Sequence, residues 1–170
     1  WLTISASALA TIINEDAKEG GSAGNHRKLT PYVSASFKPF RNEEFRIRFF
    51  YKDIFRLPSF NDLYYQEVGN TKLKPENAKQ YNIGLTYSKN VCSFLPYLSA
   101  TVDAYYNKVT DKIIAYPTKN LAIWSMRNLG SVDIKGIDVT GNLSLQPWEK
   151  IRINLSGNYT YQRALDVTDP

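Results

Sequence analysis

The chain has 170 residues, a hydrophobic content of 43% and a formal net charge of +5, enough for one ordinary domain and too apolar for a disordered segment. No apolar run approaches the ~18 residues of a membrane-crossing helix. The basic residues are spread among 16 acids without forming a tract, which argues against nucleic-acid binding. A lone Cys92 and a lone His26 leave no intramolecular disulfide, no thiolate cluster and no imidazole metal site.

Taken in order, the chain reads as strands. Leu2, Ile4, Ala6, Ala8, Ala10 and Ile12 alternate with Thr3, Ser5, Ser7 and Thr11, the period of an extended chain with two different faces. Residues 14–28 form a polar, glycine-rich loop. Leu29 to Lys38 alternates again, and after a turn at 39–44 so does Phe45 to Lys52, with Phe45, Ile47, Phe49 and Tyr51 opposed by Arg46, Arg48 and Lys52. A long connection over 53–77 follows. Its first half reads as irregular, because Pro58 removes a backbone donor and Asn61-Asp62 and Gly69-Asn70 favour turns. It nevertheless carries Phe55, Leu57, Phe60, Leu63, Tyr64 and Tyr65, so it is expected to be ordered and packed.

Ala78 to Lys89 is the next strand, with Tyr81, Ile83, Leu85 and Tyr87 on one face. A short connection at 90–96 leads to a strand from Tyr97 to Lys108. Residues 110–122 read as a longer connection with a partial hairpin around Pro117. Ile123 to Leu145 reads as one long strand with a bulge or bend near Gly130 or Gly136. A tight turn is expected at Gln146-Pro147-Trp148-Glu149, then a last strand from Ile151 to Gln162. The sum is an all-β chain of about seven antiparallel, up-and-down strands without a convincing helix.

Two patterns give this order meaning. Connections alternate long and short, as in outer-membrane barrels, where short turns face the periplasm and long loops face outward. On that basis 14–28, 53–77 and 110–122 lie outside and 39–44, 90–96 and 146–149 inside the cell envelope. The apolar faces also end in aromatics (Tyr106, Tyr159, Tyr161, Trp148), as an interfacial girdle does.

The string FRLPSFNDLYY, then GN, then LKPENAKQYNIGLTY, all within Phe55–Tyr87, resembles the late-barrel signature of TonB-dependent outer-membrane receptors. Weaker echoes occur at Tyr105–Ile113, Arg127–Val139 and Asn158–Ala164. The resemblance implies part of a large transmembrane β-barrel in the outer membrane of a Gram-negative bacterium. It also implies contact with outer-membrane lipid, uptake of a scarce nutrient (a siderophore-iron complex, haem, a cobalamin or a glycan), and energy from the TonB complex through a plug domain. Seven strands are about a third of a 22-stranded barrel, which at this strand spacing needs about 500 residues. Residues 1–170 are accordingly expected to be an incomplete barrel domain, without its plug or remaining strands. The opening WLTISASAL has no signal-peptide pattern and the chain stops at Asp169-Pro170 in loop-like sequence, as a piece of a longer protein would.

No catalytic, cofactor or metal constellation is expected. Asp62, Glu67 and Glu76 are carboxylates in or beside one loop, and nothing in their spacing places two across a substrate. The protein reads as a conduit component and not an enzyme. Candidate ligand contacts are Arg56, Asn61, Asp62, Tyr64 and Tyr65, which together offer a cation, an amide, a carboxylate and aromatic platforms. The same residues have a role that needs no ligand, with Arg56 paired to an acid and Tyr64 packed inward. The rival for the whole chain is a soluble β-sandwich serving as a carbohydrate-binding or adhesion module, in which Ile47, Val102, Val139 and Ile153 would meet across a dry core.

Overall fold

A computed structural model of the chain describes residues 1–14, 25–41, 44–66, 68–118 and 123–168. Most of the expected loop at 14–28, parts of the 39–44 turn and the 110–122 connection, and Glu67 lie outside the described residues. Seven strands form one sheet: β1 (Leu2–Ile13), β2 (His26–Phe37), β3 (Glu44–Arg56), β4 (Glu76–Lys89), β5 (Tyr97–Pro117), β6 (Trp124–Trp148) and β7 (Ile151–Asp166). Each pairs antiparallel with the next, in the order β1-β2-β3-β4-β5-β6-β7, and the sheet is not closed. This is the up-and-down wall of part of a large barrel, with no second sheet stacked on it among the described residues. The sandwich alternative is thereby corrected.

The two faces are what alternation demands. Direct partners across the ladder share a face, so Ile47, Leu85, Val102 and Val139 form one apolar row across β3 to β6. The same face carries Phe49, Ile83, Ala104 and Ile137 in the next row. No described residue covers it: Ile83 and Leu155 are each 53% exposed. The opposite face is Thr86, Thr101 and Thr140 with Arg48, Asp103 and Ser99. From Leu98 to Tyr106 the apolar face runs about 27 Å along the strand, or about 20 Å for a strand tilted by ~40°, close to the ~25 Å band of outer-membrane barrels.

Aromatic rows bound that band. At the end of the long loops, Tyr51, Tyr81 and Tyr106 line up across three strands, with ring centroids 5.0 Å and 6.1 Å apart. At the other end stand Phe45 opposite Tyr87, Phe40 6.2 Å from Phe45, and exposed Trp148. Tyr161 falls one residue pair below the upper row, opposite Ile137. Tyr159 departs from the expected girdle, because its partner is Val139 in the middle of the band.

Four expectations need correction. First, 110–117 is not connection but strand: β5 and β6 stay paired up to Pro117 and Trp124. Alternation persists there through Ile113 and Ala115, and Arg127 stacks over the Tyr116 ring at 3.6 Å. Pro117 is tolerated as the terminal strand residue, as prolines are at strand ends. Second, the expected bulge near Gly130 or Gly136 is absent from the β5–β6 register. The left-handed residue is Asp111, at φ 54°, across from Gly130, and the register irregularity lies between Leu145 and Trp148 against β7. Third, β6 therefore continues through Gln146, Pro147 and Trp148, leaving Glu149-Lys150 as the turn. Fourth, the first half of the central loop contains a one-turn helix, α1 (Phe60–Tyr64).

Candidate functional site

The buried apolar side chains among the described residues are Leu63, Leu73, Ala78, Val109, Ile113 and Val132. None lies on the apolar band. Ala78, Val109 and Val132 form one row on the polar face at the long-loop end, and Leu63, Leu73 and Ile113 form a cluster with Tyr64 and Met126 packed against it. The one packed core among the described residues is thus where the β3–β4 loop folds over the sheet.

Local chemistry explains the loop's shape. Ser59 caps α1: its hydroxyl accepts from the Asp62 amide at 3.2 Å, while the Asp62 carboxylate accepts from the Ser59 amide at 2.8 Å. This reciprocal capping box satisfies two donors that a helix start otherwise leaves bare. Gly69 then passes so close to the backbone of Leu63 and Tyr65 that a Cβ would stand 2.6 Å from an amide nitrogen, a site only glycine fits. The Asn70 amide donates to the Asp62 carbonyl at 2.8 Å and closes the turn.

Distant residues hold the folded loop down. β7 pairs with β6 only as far up as Val132, so the upper part of β6 has a bare edge. The loop takes it: the Met126 amide donates to the Val68 carbonyl at 2.9 Å, and Asn70 Nδ2 donates to the Met126 carbonyl at 2.9 Å. Asn128 ties the next stretch, accepting from the Lys74 amide at 2.8 Å while its Nδ2 donates to the carbonyls of Lys74 and Asp111. Glu76 Oε2 accepts from the Ile113 amide at 3.2 Å. Gly69, Asn70, Leu73, Lys74 and Glu76, the letters of the signature string, each have a place in this anchoring.

Arg56 sits opposite Glu76 in the ladder and between two acids, 3.4 Å from Glu76 Oε2 and 3.5 Å from Asp62 Oδ2. Asp62 is buried within the cap, and Tyr64 packs toward the loop core. Asn61 is exposed, as is Tyr65, and Phe60 projects furthest with 75% of its surface free while its ring rests 4.9 Å from that of Tyr64. Arg56, Asp62 and Tyr64 therefore hold the loop, and Asn61 and Tyr65 form part of its open surface. Sequence reasoning missed Met126 and Asn128, because their partners in the loop, Asn70 and Lys74, lie 56 and 54 residues away and no local pattern announces them. The Ser59-x-x-Asp62 spacing was the available signal for α1.

On the polar face two glycines sit beneath side-chain bridges. Arg48, Gly84 and Asp103 are consecutive ladder partners, and the guanidinium reaches across the bare glycine to both carboxylate oxygens at 3.2 Å. Tyr105, Gly136 and Gln162 repeat the device, the phenol donating to Gln162 Oε1 at 3.2 Å. The arrangement holds no nucleophile–base pair, and no group of three metal-ligating side chains occurs among the described residues.

Comparison with known proteins gives this architecture a family. Residues 10–170 match the model for the TonB dependent receptor-like β-barrel. The chain is 35% identical over 85 residues to the vitamin B12 transporter BtuB of Vibrio vulnificus, and 31% identical over 94 residues to that of Photobacterium profundum. These segments cover 50% and 53% of the chain but only 13% and 14% of the relatives. Among solved structures, the siderophore receptor PirA from Pseudomonas aeruginosa superposes with a TM-score of 0.59 at 19% identity, over 95% of this chain and 32% of that one. The copper transporter OprC does so with a TM-score of 0.61 at 15% identity, over 98% and 26%. At those identities the structures speak for the fold alone. An open wall with one greasy and one hydrated face, and a family match over nearly its whole length, lead to one conclusion: the chain belongs to the TonB-dependent receptor β-barrel family, a family of receptors and transporters rather than enzymes.

Proposed function

We propose that residues 1–170 are part of the barrel wall of an outer-membrane transporter of a Gram-negative bacterium, which captures a scarce nutrient and imports it with energy from the TonB complex. The rest of the protein supplies the remaining strands and the plug that meets TonB. One observation carries this reading: a single sheet exposes a continuous apolar band between two aromatic rows while its other face is polar. Lipid is the solvent that makes such an exposed face stable.

The first cargo to test is a corrinoid, since the relatives from Vibrio vulnificus and Photobacterium profundum are vitamin B12 transporters whose matches cover 50% and 53% of this chain. In this proposal Arg56, Asn61, Asp62, Tyr64 and Tyr65 line the outer mouth. Tyr65 and Asn61 meet cargo directly, and Arg56, Asp62 and Tyr64 present them by holding the loop. The test is equilibrium binding of cyanocobalamin to the purified full-length protein in detergent. Saturable binding that weakens at least tenfold in Tyr65→Ala and Arg56→Ala, at unchanged expression, is expected. No binding of cyanocobalamin would dismiss the corrinoid, and unchanged affinity in both variants would dismiss the loop contacts.

A further inference from the structure

The outward, apolar face carries a group of cations that uptake of cargo does not use. Directly above the Tyr51–Tyr81–Tyr106 row, on the long-loop side, the ladder sets Lys79 opposite Lys108. In the row of Tyr106 itself it sets Lys135 opposite Arg163. All four side chains are exposed, and none takes part in any ion pair among the described residues. Like charges facing each other across a ladder repel, and here two such pairs sit side by side on four consecutive strands.

Two carboxylates share the upper row, Asp53 opposite Lys79 and Asp133 opposite Lys108. The Asp133 carboxylate is taken up by the Tyr106 hydroxyl, 2.9 Å away, whose ring also receives Lys135 Nζ at 5.3 Å. The group keeps a net positive charge. Its position selects what neutralises it. Immediately below lie the tyrosine row and the apolar band with Ile83, Ala104 and Ile137, so an anion bound here would have its remaining bulk against hydrocarbon. Lysine and arginine stems lie well on such a surface while their heads reach a polar layer.

We propose that these residues bind an anionic membrane lipid carrying two phosphates, one bridging Lys79 and Lys108 and the other Lys135 and Arg163, with its acyl chains along the apolar band. The two cation pairs are separated by two strand spacings and one pair step, about 12 Å, a span that a two-phosphate headgroup covers and a single phosphate does not. The proposal rests on the membrane location argued above but not on the cargo.

The experiment places the full-length protein in phosphatidylcholine nanodiscs containing bisphosphorylated lipid A, its monophosphorylated form, or neither, and reads retained lipid by native mass spectrometry. The wild type is expected to retain the bisphosphorylated lipid at least tenfold more than the monophosphorylated one. The double variants Lys79→Gln/Lys108→Gln and Lys135→Gln/Arg163→Gln should each lose that preference. Equal retention by wild type and both variants overturns the proposal, as does displacement of the lipid by millimolar inorganic phosphate, which would mark a site for the free anion. Cyanocobalamin binding is measured on the same samples: its loss alone removes the corrinoid and leaves the lipid site standing. Failure of the wild type to enter a bilayer overturns the membrane reading and the lipid site together.

Discussion

Glycine in the middle of a strand normally weakens it, having no side chain to pack. Gly84 and Gly136 do the opposite, because each clears the path of a bridge that ties three strands together. A Cβ on Gly84 would stand in contact with Asp103 Oδ1 and 3.0 Å from the Arg48 guanidinium, and one on Gly136 would meet the Tyr105 ring. Gly141 has nothing within 4 Å of the same position and serves as an internal control. Gly84→Ala is expected to destabilise the full-length barrel by about 1–3 kcal/mol through crowding and a displaced ion pair, and Gly141→Ala to be neutral or slightly stabilising. Urea unfolding from detergent micelles compares them. Equal effects would mean that the Arg48–Asp103 bridge contributes nothing that depends on the space beneath it.

At the level of elements, the β3–β4 loop behaves as a folded piece and not as a tether. A capped turn of helix starts it, a close backbone approach at Gly69 closes it, and the bare upper edge of β6 receives it. Five residues of helix are too few to stand alone, so α1 owes its existence to the Leu63–Leu73–Ile113 cluster beneath it. Asn128 joins three segments at once, and Asn128→Ala strands two Lys74 backbone groups and the Asp111 carbonyl. A local cost of about 1–3 kcal/mol follows. It should appear as faster amide exchange over 68–76, with β3 and the lower half of β4 unchanged. Unaltered exchange in that stretch would show that the loop is held by its apolar cluster alone.

For the whole molecule, the decisive property is an exposed apolar face, which the proposed membrane location turns toward lipid. Ile83 and Asn82 are chain neighbours on opposite faces, so the same substitution at both reads the two environments. Ile83→Arg is expected to cost about 2–4 kcal/mol, the penalty for a cation facing lipid near the middle of the band. Asn82→Arg, on the polar face, should cost far less. Equal costs, measured by unfolding of the full-length protein from lipid vesicles, would contradict a lipid-facing band. Among the described residues the outer edges of β1 and β7 are unpaired, and bare edges of this length favour pairing with further strands.

The faces and the seven strands were legible because period-2 patterning is local: Ile83 and Leu85 reveal their side without reference to any partner, whereas the expected long connection at 110–122 shrank once β5 and β6 paired up to Pro117 and Trp124. The signature string Phe55–Tyr87 likewise pointed to the family by its letters alone. What the letters could not disclose is why they stand where they do. That Arg56 stands between two acids depended on Glu76 lying opposite it and Asp62 folding back toward it. The reach of β5 and β6 to Pro117 and Trp124, and the fate of the upper β6 edge, depended on pairing between strands and on contacts between residues 54 to 56 positions apart. Alternation is written in neighbouring residues, so sequence determined the wall; anchoring is written between distant ones, so only the tertiary structure decided the loop that crowns it.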